Sequence, residues 1–179
     1  MLPVQIRPAV AADLPTLMNI DHSCSTDYVW QMEIRAEEGQ VSVIFREVRL
    51  PRTVAIPWPR PVEALSEDWS RRSGLLVAVN AAKEPVAYLR LTDKVLPQTA
   101  WITNLVVAPR YRRQGIATAL VLASQSWSSE RNNRYLIMEM SSKNVPAIRL
   151  AQKLGFEFCG YNDHYYENRD VALFFGRPL

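Results

Sequence analysis

Two stretches of this chain combine residue types that could do chemistry. The first is Val106-Val107-Ala108-Pro109-Arg110-Tyr111-Arg112-Arg113-Gln114-Gly115-Ile116-Ala117. An apolar β-type run, Trp101 to Val107, meets a proline and a basic turn, which opens into an amphipathic segment from Ile116 to about Trp127. The first amides of a helix lack carbonyl partners, and the peptide dipoles add partial positive charge there. Gly115 lets backbone approach an anion with no Cβ in the way, and Arg110, Arg112 and Arg113 add positive charge. The combination suits a phosphate or pyrophosphate; an ordinary basic turn capping a core helix would use the same residues. The dinucleotide pattern G-x-G-x-x-G and the phosphate loop G-x-x-x-x-G-K-[ST] are both absent. The second feature is Glu139, an acid between the apolar residues Ile137, Met138 and Met140. A carboxyl in such a run is either a structural group near a strand end or a site with a perturbed proton affinity.

Arg112-x-x-Gly115-x-Ala117 resembles the R/Q-x-x-G-x-G/A signature of the GNAT superfamily of N-acetyltransferases. Asn144-Val145-Pro146-Ala147-Ile148-Arg149-Leu150-Ala151-Gln152-Lys153-Leu154-Gly155-Phe156 resembles that family's N-x-x-A-x-x-L-Y-x-K-x-G-F segment at nearly every position. The local physics agrees with a helix there. Pro146 suits the first turn, Ala147, Leu150, Ala151 and Leu154 form one apolar stripe, and Gly155 stands where a C-terminal cap needs positive φ. Within the superfamily the C-terminal half resembles the streptothricin acetyltransferases and the ribosomal-protein N-terminal acetyltransferases.

The resemblance implies acetyl transfer from acetyl-CoA to an amine, at a splay between two parallel strands, here Trp101–Val107 and Tyr135–Met140. Leu105, Val106 and Val107 would hold the pantetheine arm as an added strand is held, and an amide of that stretch would meet the thioester oxygen as it becomes an oxyanion. Arg112, Arg113, Gln114, Gly115, Ile116, Ala117 and Thr118 would take the pyrophosphate, and Asn144 the pantetheine arm. The attacking amine must lose a proton. Glu139 is the candidate base, since Glu139 to Asn144 is similar to an E-x-x-x-x-N spacing found in the family. The family's usual general acid is the tyrosine of L-Y-x-K-x-G-F, and Ala151 stands at that position. The thiolate then takes its proton from water or another phenol, with Tyr161 and Tyr165 as candidates beside Tyr166. It can also leave unprotonated, since thiols titrate at about 8.5.

Three readings of the chain follow from the resemblance: transfer to a small cationic amine, transfer to a protein N-terminus or lysine, and a non-catalytic acyl-CoA sensor motivated by Ala151. The N-terminal half carries Asp21, Asp27, Tyr28, Trp30, Glu33, Glu37 and Glu38, which would suit a cationic acceptor and equally a solvated hairpin face.

The elements that position these residues are expected as follows. Val4–Pro8 reads as a strand, then a helix with Asp13 as N-cap and Pro15 in its first turn. Tyr28–Arg35 and Val41–Leu50 alternate about a Glu38-Gly39 turn as a long hairpin, where the family usually has helix. Residues 51–70, with Pro51, Pro57, Pro59, Pro61, Trp58 and Trp69, read either as an ordered loop partly covering the site or as a surface meander. Leu75–Asn80 and Val86–Lys94 form a second hairpin, and Trp101–Val107 the next strand. Then come a helix at Gln114–Ser129, a strand at Tyr135–Met140, a helix at Val145–Leu154, and strands at Phe156–Tyr166 and Arg169–Phe175. The fold expected is α/β (α+β): a mixed, mostly antiparallel sheet of GNAT type with helices on both faces, one domain spanning 1–179.

Composition narrows the class. With 48% hydrophobic and 22% charged residues the chain is globular. A net charge of +3 speaks against a dedicated nucleic-acid partner. No apolar run spans a bilayer and no signal-peptide pattern opens the chain, so a cytoplasmic monomer or homodimer is expected. Cys24 and Cys159 are too few for a disulfide framework or a zinc site, and Cys159 reads as a small core residue. His22 and His164 match no metal-ligand spacing, and no metal is expected.

Overall fold

The computed structural model describes residues 4–67 and 74–179. β1 (Gln5–Pro8) leads through a 3-10 turn at Ala11–Asp13 into a short helix, α1 (Leu14–Met18). A long hairpin follows, β2 (Cys24–Glu37) and β3 (Gln40–Ile56), then a one-turn helix, α2 (Ala64–Glu67). The remainder runs β4 (Gly74–Val79), β5 (Pro85–Leu96), β6 (Thr99–Val107), α3 (Ile116–Ser129), β7 (Tyr135–Ser141), α4 (Val145–Lys153), β8 (Glu157–Asn162) and β9 (Ala172–Pro178).

Seven strands form one sheet in the order β1-β4-β5-β6-β7-β9-β8, and β2-β3 form a separate two-stranded sheet. Among the described residues of the large sheet only the β6–β7 neighbours run parallel. Side-chain alternation sorts the core into two faces. Leu76, Leu89, Ile102, Met138 and Phe175 pack with Ile116 and Leu120 of α3 and Ile148 of α4. Val77, Tyr88 and Val106 point the other way, onto Leu17 of α1 and Leu65 of α2.

The β6–β7 pairing is short. It runs from Thr99↔Tyr135 to Ile102↔Met138 and stops there. At the same level β6 slips against β5: Leu91 faces Ile102 and Arg90 faces Asn104, so Thr103 is one residue too many. An extra residue bends its strand, and beyond it the two parallel strands diverge.

The β2-β3 hairpin is longer than the expected Tyr28–Arg35 and Val41–Leu50, and Gly39 makes its turn at φ 72°. It packs on the α4 side of the sheet through Trp30 against Phe175 (ring centroids 5.8 Å) and Phe45 against Tyr161 (5.3 Å). The Trp30 amide donates to the Ser142 carbonyl at the end of β7, 2.9 Å away.

Four expectations are corrected. Residues 51–56 belong to β3, so the loop opens at Pro57; Trp69, expected within it, lies outside the described residues. Asp13 stands at the N-cap position of α1, but its side chain does not cap that helix. Its carboxylate reaches back to the Val10 amide (2.8 Å) and takes two hydrogen bonds from Arg7 (2.7 and 2.9 Å). Tyr165 and Tyr166 are not on a strand, because β8 ends at Asn162. Cys159 is exposed rather than core. Its strand is at the sheet edge and slips register between Phe158 and Gly160, which frees Cys159 from the alternation that would bury it.

Candidate functional site

The divergence of β6 and β7 opens a cavity lined by Ile102, Thr103 and Leu105 on one strand and Met138, Glu139, Met140 and Ser141 on the other. Backbone polarity along β6 follows from its ladder with β5. The Ala108 amide donates to Val86 (2.9 Å), so Val106, two residues back, also turns its N–H and C=O towards β5. Leu105 and Val107 turn theirs towards the opening. Of the three residues expected to hold a ligand through backbone, Leu105 and Val107 are oriented for it. Val106 is committed to the β5 ladder and buries its side chain among Tyr88 and Leu17.

The turn after β6 ends in backbone built for close approach. Arg113 and Gly115 both have positive φ, 63° and 83°. Gly115 is the N-cap of α3 and no side chain caps that end, so the first amides of a fourteen-residue helix face outwards. α4 is the contrast. Asn144 caps it, its Oδ1 accepting from the Ala147 amide at 3.2 Å, which leaves Nδ2 as the group Asn144 can offer to the cavity it lines. Ile116 is buried in the core and offers only backbone; Ala117 and Thr118 follow it half-buried in the first turn. Arg112 is not a free cation. Its Nε donates to the Val107 carbonyl (2.8 Å) and its Nη2 to the Asp21 carbonyl (2.9 Å), which pins the turn to β6 and to the segment before β2. Gln114 spends its amide nitrogen on the Arg110 carbonyl at 3.0 Å. Arg113 is exposed beside the helix end.

Glu139 stands on the opposite wall with a side chain only 2% exposed. Three groups converge on its carboxylate. Tyr165 Oη donates to Oε2 at 3.0 Å, Tyr166 Oη to Oε1 at 3.3 Å, and Arg60 Nη2 forms an ion pair with Oε1. Burial pushes the carboxyl above its ordinary value, while Arg60 and the two phenols pull it back without cancelling the rise. Both phenols are held more firmly protonated than free tyrosine, first by burial and then by the Glu139 charge.

The turn between β8 and β9 places those phenols. The amides of Tyr165 and Tyr166 donate to the Asp170 carbonyl. The Asp170 carboxylate in turn bonds Lys143, Ser141 Oγ (3.5 Å) and Asn168 Nδ2 (3.0 Å), tying the turn to the end of β7 where Glu139 lies.

The last wall comes from the N-terminal half. Pro57, Trp58, Pro59 and Arg60, following β3, line the cavity together with His22, Cys24 and Ile56. Part of the proline-rich stretch therefore covers the site. His22 Nδ1 donates to the Ile20 carbonyl (2.5 Å) and its Nε2 accepts from Tyr88 Oη (2.9 Å). Burial lowers the proton affinity of that ring and raises Tyr88 to about 12.

Several expected residues are not brought here. Tyr161 packs on Phe45 on the sheet face opposite Glu139, because β8 directs it with Leu173 and Phe175 towards α4. Ala151 is fully buried in the core beside Ile148, whereas Ala147, one turn earlier, lines the cavity. On the hairpin, Glu33 pairs with Arg35 and Arg46, Asp27 accepts from Thr53 Oγ1 (2.5 Å), and Tyr28 lies under Arg149. Arg60 was missed in the sequence, although a lone cation between Pro59 and Pro61 was a signal. Among the described residues no group of three His, Cys, Asp or Glu is placed to hold a metal, and no helix is long and apolar enough to cross a membrane.

Residues 41–156 match the acetyltransferase (GNAT) family. A streptothricin acetyltransferase of Streptomyces lavendulae is 25% identical over 182 residues, covering 97% of this chain and 94% of its own. The ribosomal protein bS18 alanine N-acetyltransferase of Escherichia coli (strain K12) is 28% identical over 131 residues, 72% of this chain and 85% of its own. Among solved structures, a Bacillus anthracis protein assigned as a streptothricin acetyltransferase, in complex with acetyl coenzyme A, superposes with a TM-score of 0.80. It covers 99% of both chains at 18% identity, a likeness of fold.

Proposed function

This chain belongs to the GNAT family of acetyltransferases, and on that premise we propose that it transfers the acetyl group of acetyl-CoA to a primary amine of a small cationic molecule. One observation carries the reading: a buried carboxylate, Glu139, and Leu105, whose backbone turns outwards from β5, line the same cavity from the two diverging strands. The acetyl donor's pantetheine arm would lie along Leu105 and Val107, with Asn144 Nδ2 as a further donor. Its pyrophosphate would meet the amides that follow Gly115. An uncapped helix end and two positive-φ residues fit that group. Arg112 contributes by holding the turn in shape, not by direct charge.

The chemistry is direct attack. The amine enters as an ammonium, and Glu139 takes its proton; a carboxyl raised above its ordinary value accepts a proton better at neutral pH. The freed nitrogen lone pair forms the N–C bond to the thioester carbon. An amide of Leu105 or Val107 supports the oxyanion. The C–S bond then breaks, the electron pair leaves on sulfur, and the thiolate takes a proton from water or from Tyr165, which the Glu139 proton replenishes.

A second reading, transfer to a protein N-terminus, is favoured by the likeness to the bS18 alanine N-acetyltransferase. The small amine is preferred because the likeness to the streptothricin acetyltransferase runs over nearly the whole of both chains, and the cavity wall carries Glu139 with Trp58 and Tyr166. A paired screen separates the two. Polyamines and streptothricin-type amines are set against peptides with free N-termini, and CoA release is read as free thiol. Thiol release with the peptides alone would replace this reading by the second. Acetyl-CoA binding with no thiol release from either panel would favour a sensor.

A further inference from the structure

We propose that Glu139, Tyr165 and Tyr166 form a receptor for the acceptor's cationic group, and that Arg60 fills it as an internal surrogate until the acceptor displaces it. The receptor rests on the reading of the chain as an acetyltransferase of cationic amines.

The Arg60 guanidinium meets what an alkylammonium would need: a buried carboxylate and two phenolic rings, with its Cζ 5.9 Å from the Tyr165 centroid and 5.5 Å from that of Tyr166. Receptor and occupant come from different parts of the chain. Glu139 is on β7, and the tyrosines are on a turn that Asp170 anchors to Ser141, Lys143 and Asn168. Both phenols donate to Glu139 by themselves, so the cage does not depend on Arg60 for its shape. Arg60 arrives on the short Pro57–Pro61 segment, and its side chain remains 30% exposed where that of Glu139 is 2% exposed. Tyr165 is exposed too, at 40%, but its turn is anchored through Asp170, so Arg60 is the member of this set that can leave.

Arginine also has the right chemistry for a surrogate. It cannot be deprotonated under working conditions, so it neutralises Glu139 without presenting a nucleophile to the thioester. While it is present, its fixed charge beside Oε1 holds the proton affinity of Glu139 down, and Glu139 is a poorer base. An ammonium that displaces it brings a removable proton to the same oxygens. Acceptor binding and base activation are then one event, and amines without a positive charge cannot start it.

The test uses Arg60→Ala, Arg60→Ala/Glu139→Gln and wild type, all full-length, with methylguanidinium and butylammonium as probes. Binding is followed by ligand-observed NMR without acetyl-CoA, alongside acceptor KM by thiol release. Arg60→Ala should bind both probes about fivefold tighter than wild type or better, the scale of a partly exposed ion pair, and the double variant should lose that gain. Acceptor KM should fall by a similar factor. Equal or weaker probe binding in Arg60→Ala overturns the receptor, and if thiol release on cationic amines continues, the acetyl-transfer reading still stands. The expected probe binding with no thiol release on any cationic amine supports the receptor and overturns that reading instead.

Discussion

The two walls of the splay are built on opposite principles. The β6 wall, Leu105 through Thr118, is one continuous stretch, and what it presents is backbone: outward-turned groups of Leu105 and Val107, then the amides after Gly115. The β7 wall is assembled from side chains of three segments far apart in sequence, Arg60, Glu139 and Tyr165-Tyr166. A ligand shared by a family can be held by backbone, whose geometry survives substitution. An acceptor that differs between members calls for side chains that can be exchanged. The same division explains why Arg112, a motif residue, serves the backbone: its guanidinium braces two carbonyls.

Breaking the backbone wall should have the largest effect. Gly115→Glu forces a side chain into φ 83°, costs about 1–2 kcal/mol locally and sets a negative charge against the anion. Acetyl-CoA binding should be lost in calorimetry while the far-ultraviolet spectrum is kept. A folded variant with unchanged affinity would remove the turn from the site. On the other wall, Glu139→Gln keeps shape and removes the base, and turnover should drop about a hundredfold to ten-thousandfold. Acetyl-CoA affinity should not follow, because the hydrogen-bond and ion-pair partners of Glu139 among the described residues are Arg60, Tyr165 and Tyr166, none of them on the β6 wall.

Smaller effects sharpen the boundary between wall and core. Ala151→Tyr restores the phenol that related motifs carry, but Ala151 has no exposed surface and sits among core side chains. Overpacking should lower stability by about 1–3 kcal/mol, seen in denaturant midpoints, with no gain in rate. A faster enzyme of unchanged stability would show that the helix yields and lets the phenol reach the cavity. Smallest is the pair Tyr165→Phe and Tyr161→Phe. The first loses a hydrogen bond to Glu139 and should change kcat severalfold, on the scale of about 1 kcal/mol; the second, packed on Phe45, should leave kcat unaltered. Equal effects would contradict the placement of the two rings on opposite sheet faces.

The contrast also accounts for what could be read from residues alone. Gly115, Pro146 and Gly155 declare local backbone needs, so helix ends and the basic turn are visible in a short window; Gly155 does adopt φ 77°. The divergence of β6 and β7 comes from Thr103 lying out of register with β5, a pairing property no window contains. Cys159 alternates correctly in the sequence, yet a register slip at the sheet edge exposes it. Tyr161 and Tyr165 are equivalent phenols by spacing. They separate because β8 stops at Asn162 and the following turn doubles back through Asp170 to the end of β7. Arg60 is seventy-nine residues from Glu139 in sequence, and only the packed loop brings them together.

The pH dependence of kcat/KM, in wild type and Glu139→Gln side by side, tests the central assignment most directly. Glu139 must be ionised to accept the proton, and burial raises its pKa despite Arg60, Tyr165 and Tyr166. Activity in wild type should therefore climb with rising pH through a midpoint above the ordinary carboxylate value, and the Gln variant should lack that rise and keep only the later increase from the amine's own deprotonation. The same early rise in both proteins would show that another group takes the proton and that Glu139 is not the base.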